Sequence, residues 1–166
     1  LTAKYNVLFH GNEALDREVE QLFSTYNENY WDILPIEPLT VDEDAIRVGP
    51  SDNSNFLRAE EKAVKAIQKH GMNIQGKEYN PQIDEAYLML GKARYYSQRY
   101  IPALDAFNYI LYKNPNSNKN FEAKIWREKT NMRLGNDALV IKNLSKLLKD
   151  SNLKAQYVAN ANAVLS

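Results

Sequence analysis

The sequence of 166 residues predicts an all-α fold, built as one domain of stacked helical hairpins. Apolar residues recur at helical spacing along most of the chain, and short turn signals containing Gly, Asn or Pro separate these stretches. The composition, 44% hydrophobic and 25% charged, is ordinary for a globular domain. No run of about 18 apolar residues occurs, so no membrane-spanning segment is expected within these residues.

Residues 84–117 show the helical pattern most clearly. A first helix is followed by a turn at Gln98–Arg99 and then by a second helix. We expect Pro102 to be accepted in the first turn of that second helix, where its missing N–H costs nothing. We expect Pro115 to end the helix, because proline cannot continue it.

This stretch resembles a tetratricopeptide repeat, a helix–turn–helix unit of about 34 residues. Counted from Asp84, six residues match the family's pattern: Tyr87, Leu90, Gly91, Ala103, Phe107 and Pro115. The chain departs from that pattern at Arg94, where the family has tyrosine, and at Ile110, where it has alanine. One repeat cannot bury its own apolar face, so the resemblance implies neighbouring repeats in a right-handed solenoid.

The other parts of the chain are assigned to more degenerate units. Residues 1–29 are predicted as a first helical hairpin with its turn at Gly11–Asn12, because Gly–Asn commonly marks a turn. Residues 53–81 are predicted as a helix at about 54–70, closed by His70–Gly71, and a loop. Residues 119–150 form a degenerate repeat with a turn at Gly135–Asn136, and 153–166 form the first helix of a truncated repeat.

Residues 30–52 interrupt the helical pattern as an extended insertion with three prolines. A structureless connection of this length is uncommon inside a compact domain. Its apolar content therefore predicts that it packs across the helices. The acidic run Asp42–Asp44 is interpreted as a solvated loop, because a calcium site needs more oxygen ligands at defined spacing.

Charge is distributed unevenly along the chain. Residues 1–56 hold three basic and eleven acidic side chains, whereas residues 57–166 hold 18 basic and 10 acidic ones. This asymmetry favours either attraction between the two parts or a basic patch for an acidic partner. Nucleic acid is not expected as a partner, since acids are interleaved with the basic residues.

No catalytic, cofactor or metal motif is found, so the chain is interpreted as not an enzyme. His10 and His70 each lie near a predicted helix end without a partner motif, and there is no cysteine. Phosphate-binding glycine loops, zinc-binding motifs and nucleophile elbows are absent from the sequence.

The repeat resemblance supplies a candidate binding surface. In tetratricopeptide solenoids the first helix of each repeat lines the concave face, and the matching positions carry Glu85, Leu88, Lys92, Tyr95 and Tyr96. Such a surface suits an extended peptide or a partner helix. In the alternative interpretation, Tyr95 or Tyr96 packs against the next repeat or against segment 30–52. The double change Tyr95→Ala, Tyr96→Ala separates binding from folding, and folding is expected to be spared.

A narrower resemblance covers residues 1 to about 115. The stretches LTAKYNVLFHGNEAL, NYWDILPIEP, EKAVKAIQKHGM and EYNPQIDEAYLMLGKARYY are similar to the N-terminal region of large tetratricopeptide lipoproteins of Bacteroidetes. That family is associated with gliding motility and type IX secretion. The resemblance implies a longer parent protein with an upstream signal peptide and lipid anchor, held at the periplasmic face of the outer membrane. It also implies a scaffold role with protein partners of the cell envelope.

An alternative function is an envelope lipoprotein for glycan uptake or outer-membrane assembly. Glycan-binding helical-repeat proteins carry their ligand site on long insertions, and Trp31 in segment 30–52 could stack on a sugar. The observation that separates the two functions is whether Trp31 is buried or exposed at a pocket.

Overall fold

The computed structural model describes residues 2–27, 37, 39, 54–74, 77, 78, 80 and 82–166. Within these residues the fold is all-α, as predicted. Seven helices are present there: α1 (Thr2–Thr25), α2 (Ser54–His70), α3 (Gln82–Tyr96), α4 (Tyr100–Lys113), α5 (Asn120–Arg133), α6 (Asp137–Leu147) and α7 (Ala155–Leu165). Two residue pairs, β1 (Asn73–Ile74) and β2 (Lys77–Glu78), form a short antiparallel ladder between α2 and α3.

The predicted hairpin at residues 1–29 is wrong, because α1 runs through Gly11 and Asn12 without a break. Gly11 has a packing role instead of a turn role. A Cβ atom at this position would lie 2.7 Å from Met89 Sδ and 3.1 Å from Lys62 Cβ. The missing side chain therefore lets α1 approach α2 and α3 closely.

The other predicted turns and helix ends are found. Gln98 adopts φ 60° between α3 and α4, and Gly135 adopts φ 74° between α5 and α6. The amide of Gly71 donates to the carbonyl of Ile67 at 3.0 Å and closes α2. Pro102 lies in the first turn of α4, and α4 ends two residues before Pro115.

Helices that follow one another in the chain pack side by side from α1 to α6. Contacts also join α1 to α3, α3 to α5 and α5 to α7, whereas α2, α4 and α6 lack comparable contacts with one another. The odd-numbered helices therefore form one continuous surface, which we call the inner face. Helix α3 is central to the stack and is buried on nearly all sides.

Close packing between α3 and α4 depends on Gly91. A Cβ atom there would lie 2.6 Å from Cζ of Phe107, a ring that is completely buried. Phe107 in turn stacks at 6.3 Å on Trp126 of α5 and joins the α3–α4 pair to the next helix. The small residue and the large ring are therefore complementary across the helix pair.

The departure from the repeat pattern at Arg94 also has a structural reason. Arg94 Nε donates to Glu60 of α2 at 2.9 Å, and its Nη1 donates to the Pro102 carbonyl at 3.0 Å. Arg99 pairs with the same carboxylate. This cluster joins α2, α3 and the start of α4 through charge-assisted hydrogen bonds.

Candidate functional site

The five residues predicted to bind a partner all lie on α3, but they differ in exposure. Leu88 is 4% exposed and Tyr95 is 0% exposed, so both belong to the core. Glu85, Lys92 and Tyr96 are half-buried. Tyr95 is therefore a packed residue, as the alternative interpretation of the sequence proposed. A change of Tyr95 to alanine removes core packing as well as any binding contact.

What covers Tyr95 is Glu37, from segment 30–52. The Tyr95 hydroxyl donates to Glu37 Oε2 at 2.6 Å, and Lys129 Nζ donates to Glu37 Oε1 at 2.6 Å. Arg133 Nη2 lies 3.8 Å from Glu37 Oε2, and its Nε donates to the Tyr95 hydroxyl at 3.1 Å. One carboxylate is thus held by a phenol of α3 and two cations of α5, an arrangement that we call the Glu37 seat.

Leu39 provides a second attachment point beside the Glu37 seat. Its side chain is 6% exposed and packs in the apolar cluster that contains Leu88, Tyr95 and Phe107. Arg133 Nη1 donates to its carbonyl at 3.4 Å. The Leu39 amide donates to the Glu37 carbonyl at 2.7 Å, a hydrogen bond that spans one residue and closes a tight turn.

The electrostatics of the seat keep its hydroxyl protonated. Burial raises the pKa of Tyr95, and the neighbouring Glu37 carboxylate raises it further. Burial also lowers the pKa of Arg133, but its contacts with Tyr95 outweigh this and the pKa lies above its ordinary value. Tyr95 is therefore a stable donor and Arg133 a permanent cation at neutral pH.

The inner face also contains an open cleft next to the seat. Its volume is about 340 Å³, and helices α3, α5 and α7 line it with Lys92, Glu122, Ile125, Trp126, Lys129, Gln156, Tyr157 and Asn160. Lys129 belongs to both features, since it lines the cleft and binds Glu37. The seat and the cleft are therefore two neighbouring parts of one surface.

Trp126 is the large aromatic side chain at the base of this surface. Lys129 Nζ lies 4.5 Å and Lys92 Nζ 5.2 Å from its ring centroid. Lys92 also donates to Glu122 at 2.7 Å. The cleft thus presents ammonium groups held over an indole ring, with a carboxylate nearby and the side-chain amides of Gln156 and Asn160 at its α7 edge.

Chemically, the side chains of this surface are suited to binding a peptide. Side-chain amides and ammonium groups can pair with the carbonyls and N–H groups of a peptide. Across the described part of the chain, no group of three or more His, Cys, Asp or Glu could hold a metal ion. In the same residues, no helix is both long and apolar enough to span a bilayer.

Sequence reasoning missed Glu37 and the lining residues contributed by α5 and α7. Trp126, Lys129 and Arg133 lie on α5 three and four residues apart, and this spacing was an available signal because such positions share one helix face. Glu37 carried no signal for its depth of burial, since its donors lie more than 50 positions away in sequence. Trp31 and the acidic run Asp42–Asp44 lie outside the described residues.

No protein-family model matches the chain, and no curated protein matches it.

Proposed function

We propose that the chain is a non-enzymatic scaffold whose inner face binds a segment of another protein. The observation that carries this proposal is the open cleft between α3, α5 and α7, which continues a surface where the chain already holds a segment of itself. Extended and turn-forming peptides bind such grooves through backbone hydrogen bonds and a few side-chain pockets.

The finer identity is part of the same proposal: a right-handed tetratricopeptide solenoid from a lipoprotein of the secretion or motility type. The tight fit of Gly91 on Phe107 supports the repeat assignment, because both residues stand at pattern positions. Three neighbouring pairs of packed helices also support it. The sequence resemblance alone supports a location at the periplasmic face of the outer membrane.

The glycan-uptake alternative is less well supported by this surface. Sugars stack on a free aromatic face, but the Trp126 ring already contacts two lysine ammonium groups and the Phe107 ring. The ring also forms edge-to-face contacts with Tyr95 and Tyr96 at centroid distances of 5.3 and 5.8 Å. The cleft is therefore better suited to a peptide than to a pyranose ring.

The test is a pull-down from detergent-solubilised cell envelope that compares the wild type with two matched variants. Gln156→Arg combined with Asn160→Arg places bulky charges at the α7 edge of the cleft. Asn152→Arg combined with Asn162→Arg adds the same charge at exposed positions that do not line it. We expect the wild type and the control to capture the same secretion or motility proteins, and the cleft variant to lose them.

Equal capture by the cleft variant and the control would overturn the binding site proposed here. Specific capture of a transporter or a glycan-binding protein would instead favour the alternative function. Circular dichroism of each bait beforehand ensures that a loss of capture reflects binding and not unfolding.

A further inference from the structure

We infer that the Glu37 seat recognises an acidic residue followed two positions later by an apolar one, and that residues 37–39 are a built-in ligand for it. A partner segment of the same chemistry would displace them. This inference rests on the proposed function, which it deepens by stating the partner's chemistry. The chain's own sequence at this point is Glu37–Pro38–Leu39.

The donors of the seat select for a carboxylate. Tyr95, Lys129 and Arg133 point three groups at Glu37, and the Lys129 and Arg133 side chains are only 16% and 11% exposed. Cations with so little access to water need a compensating negative charge. A ligand without a carboxylate would leave them unpaired, so the seat discriminates by charge.

A second feature selects for an apolar residue held in a turn. Leu39 fills the apolar cluster beside Tyr95, and its amide bonds back to the Glu37 carbonyl across Pro38. This hydrogen bond restrains Glu37 and Leu39 relative to each other, so the ligand is preorganised. Preorganisation raises affinity because less conformational freedom is lost on binding.

The connection between α1 and α2 does not require this contact. The two helices pack against each other directly, and helix–helix connections of this kind need only about 2–8 residues. The chain instead uses residues 26–53 and reaches α5, where Lys129 is 92 positions from Glu37. Glu37 and Leu39 therefore act as a tethered ligand of the inner face.

A tethered ligand has a measurable consequence for binding in trans. The apparent affinity for an added peptide is the intrinsic affinity multiplied by the fraction of molecules in which the seat is vacant. Weakening the tethered ligand should therefore strengthen binding of the free peptide, while a change in the seat should abolish it. A merely structural segment would show neither effect.

The experiment uses a fluorescently labelled peptide of residues 33–41, ILPIEPLTV, titrated by fluorescence anisotropy. The protein variant Glu37→Gln, Leu39→Ala should bind it about tenfold more tightly than the wild type, or better. A peptide with the same two replacements is the control and should not bind. Adding Arg133→Gln to the protein variant should remove the binding of the original peptide.

Circular dichroism must first show native helicity, and Glu37→Gln alone replaces the double variant if Leu39→Ala unfolds the chain. Equal affinity of the wild type and the folded variant overturns the inference, as does a folded variant that does not bind. The two proposals fail separately. If the pull-down captures partners through the α7 edge but the peptide does not bind, the scaffold proposal stands and the inference about the Glu37 seat is wrong. If the peptide binds but the pull-down captures no partner, only the inference about the seat stands.

Discussion

At the scale of single residues, the contact between segment 30–52 and the helices depends on a neutral phenol. Tyr95 is completely buried, donates to Glu37 and accepts from Arg133. Because burial raises its pKa, this hydroxyl keeps its proton throughout the ordinary pH range. The phenol therefore links Glu37, in the acidic N-terminal part of the chain, to Arg133 in the basic C-terminal part.

Tyr95→Phe tests that link. The change keeps the ring but leaves Glu37 and Arg133 without one partner each, so we expect a loss of about 1–3 kcal/mol in the free energy of unfolding. Urea denaturation followed by circular dichroism measures it. Tyr112→Phe is the matched control, because Tyr112 is 83% exposed and its hydroxyl is expected to contribute little. A loss at Tyr95 no larger than at Tyr112 would show that the phenol does not hold the segment.

Glu60 gives a pH-dependent prediction. Burial raises the pKa of this carboxyl, but hydrogen bonds from Arg99 and Arg94 outweigh burial and hold the pKa below its ordinary value of 4.5. A depressed folded-state pKa means stabilisation that is fully present above pH 4.5 and is lost as the pH falls through the folded value. Glu60→Gln should thus cost about 1–3 kcal/mol at pH 7.

The difference between wild type and Glu60→Gln should shrink as urea titrations are repeated below pH 4.5. Glu61→Gln is the control, since Glu61 is the exposed neighbour on the same helix, and it should change stability by no more than about 0.5 kcal/mol. A Glu60→Gln loss that stays constant down to acid pH would argue against the charged pair.

At the scale of helices, most of the helices predicted from the sequence are present in the structure. The exception is α1, which was predicted as two helices and is one continuous helix. The turns at Gln98–Arg99 and Gly135–Asn136 were predicted from breaks in the apolar periodicity, and in the structure both Gln98 and Gly135 adopt a left-handed backbone. Gly11 produced a false turn, since its sequence context is the same as that of a real one. Only the positions of Met89 and Lys62, both far away in the chain, show that Gly11 is a contact point.

Three glycine-to-alanine changes separate these roles. Gly91→Ala meets the rigid, buried Phe107 ring and should cost about 1–3 kcal/mol. Gly11→Ala meets the flexible end of Met89, and a gain in helix propensity of about 1 kcal/mol should largely offset the clash. Gly135→Ala has open space but φ +74°, and should cost about 1 kcal/mol.

Thermal melting of the three variants gives the expected order, with Gly91→Ala the least stable and Gly11→Ala closest to the wild type. If Gly11→Ala were as destabilised as Gly91→Ala, residue 11 would be needed for more than a close approach of helices.

At the scale of the whole molecule, the candidate site could be predicted only in part. The repeat resemblance directed attention to α3, whose Lys92 does line the cleft. The sequence analysis offered packing of Tyr95 against segment 30–52 only as an alternative. The repeat pattern could not identify Glu37 and Leu39 as the covering residues, because both lie in an insertion outside it. Long-range pairing of this kind leaves no periodic trace in a sequence.

The stacked arrangement also predicts that stability is not uniform along the molecule. Val164 of α7 packs in a cluster formed by α5, α6 and α7, whereas Phe107 belongs to the central cluster around α3 and α4. In a stack where each unit touches mainly its neighbours, damage at one end should remain local. Val164→Asp should therefore deprotect the amides of α6 and α7 in hydrogen exchange while α2 to α4 stay protected.

Phe107→Asp is the contrasting variant, because a charge would be left unpaired in the centre of the stack, and it should deprotect α2 to α5 together. Hydrogen exchange read by mass spectrometry distinguishes the two patterns helix by helix. If Val164→Asp exposed the central helices as fully as Phe107→Asp, the chain would unfold as one cooperative unit. The inner face would then depend on every helix, and a partner bound near α7 would stabilise the Glu37 seat as much as the cleft itself.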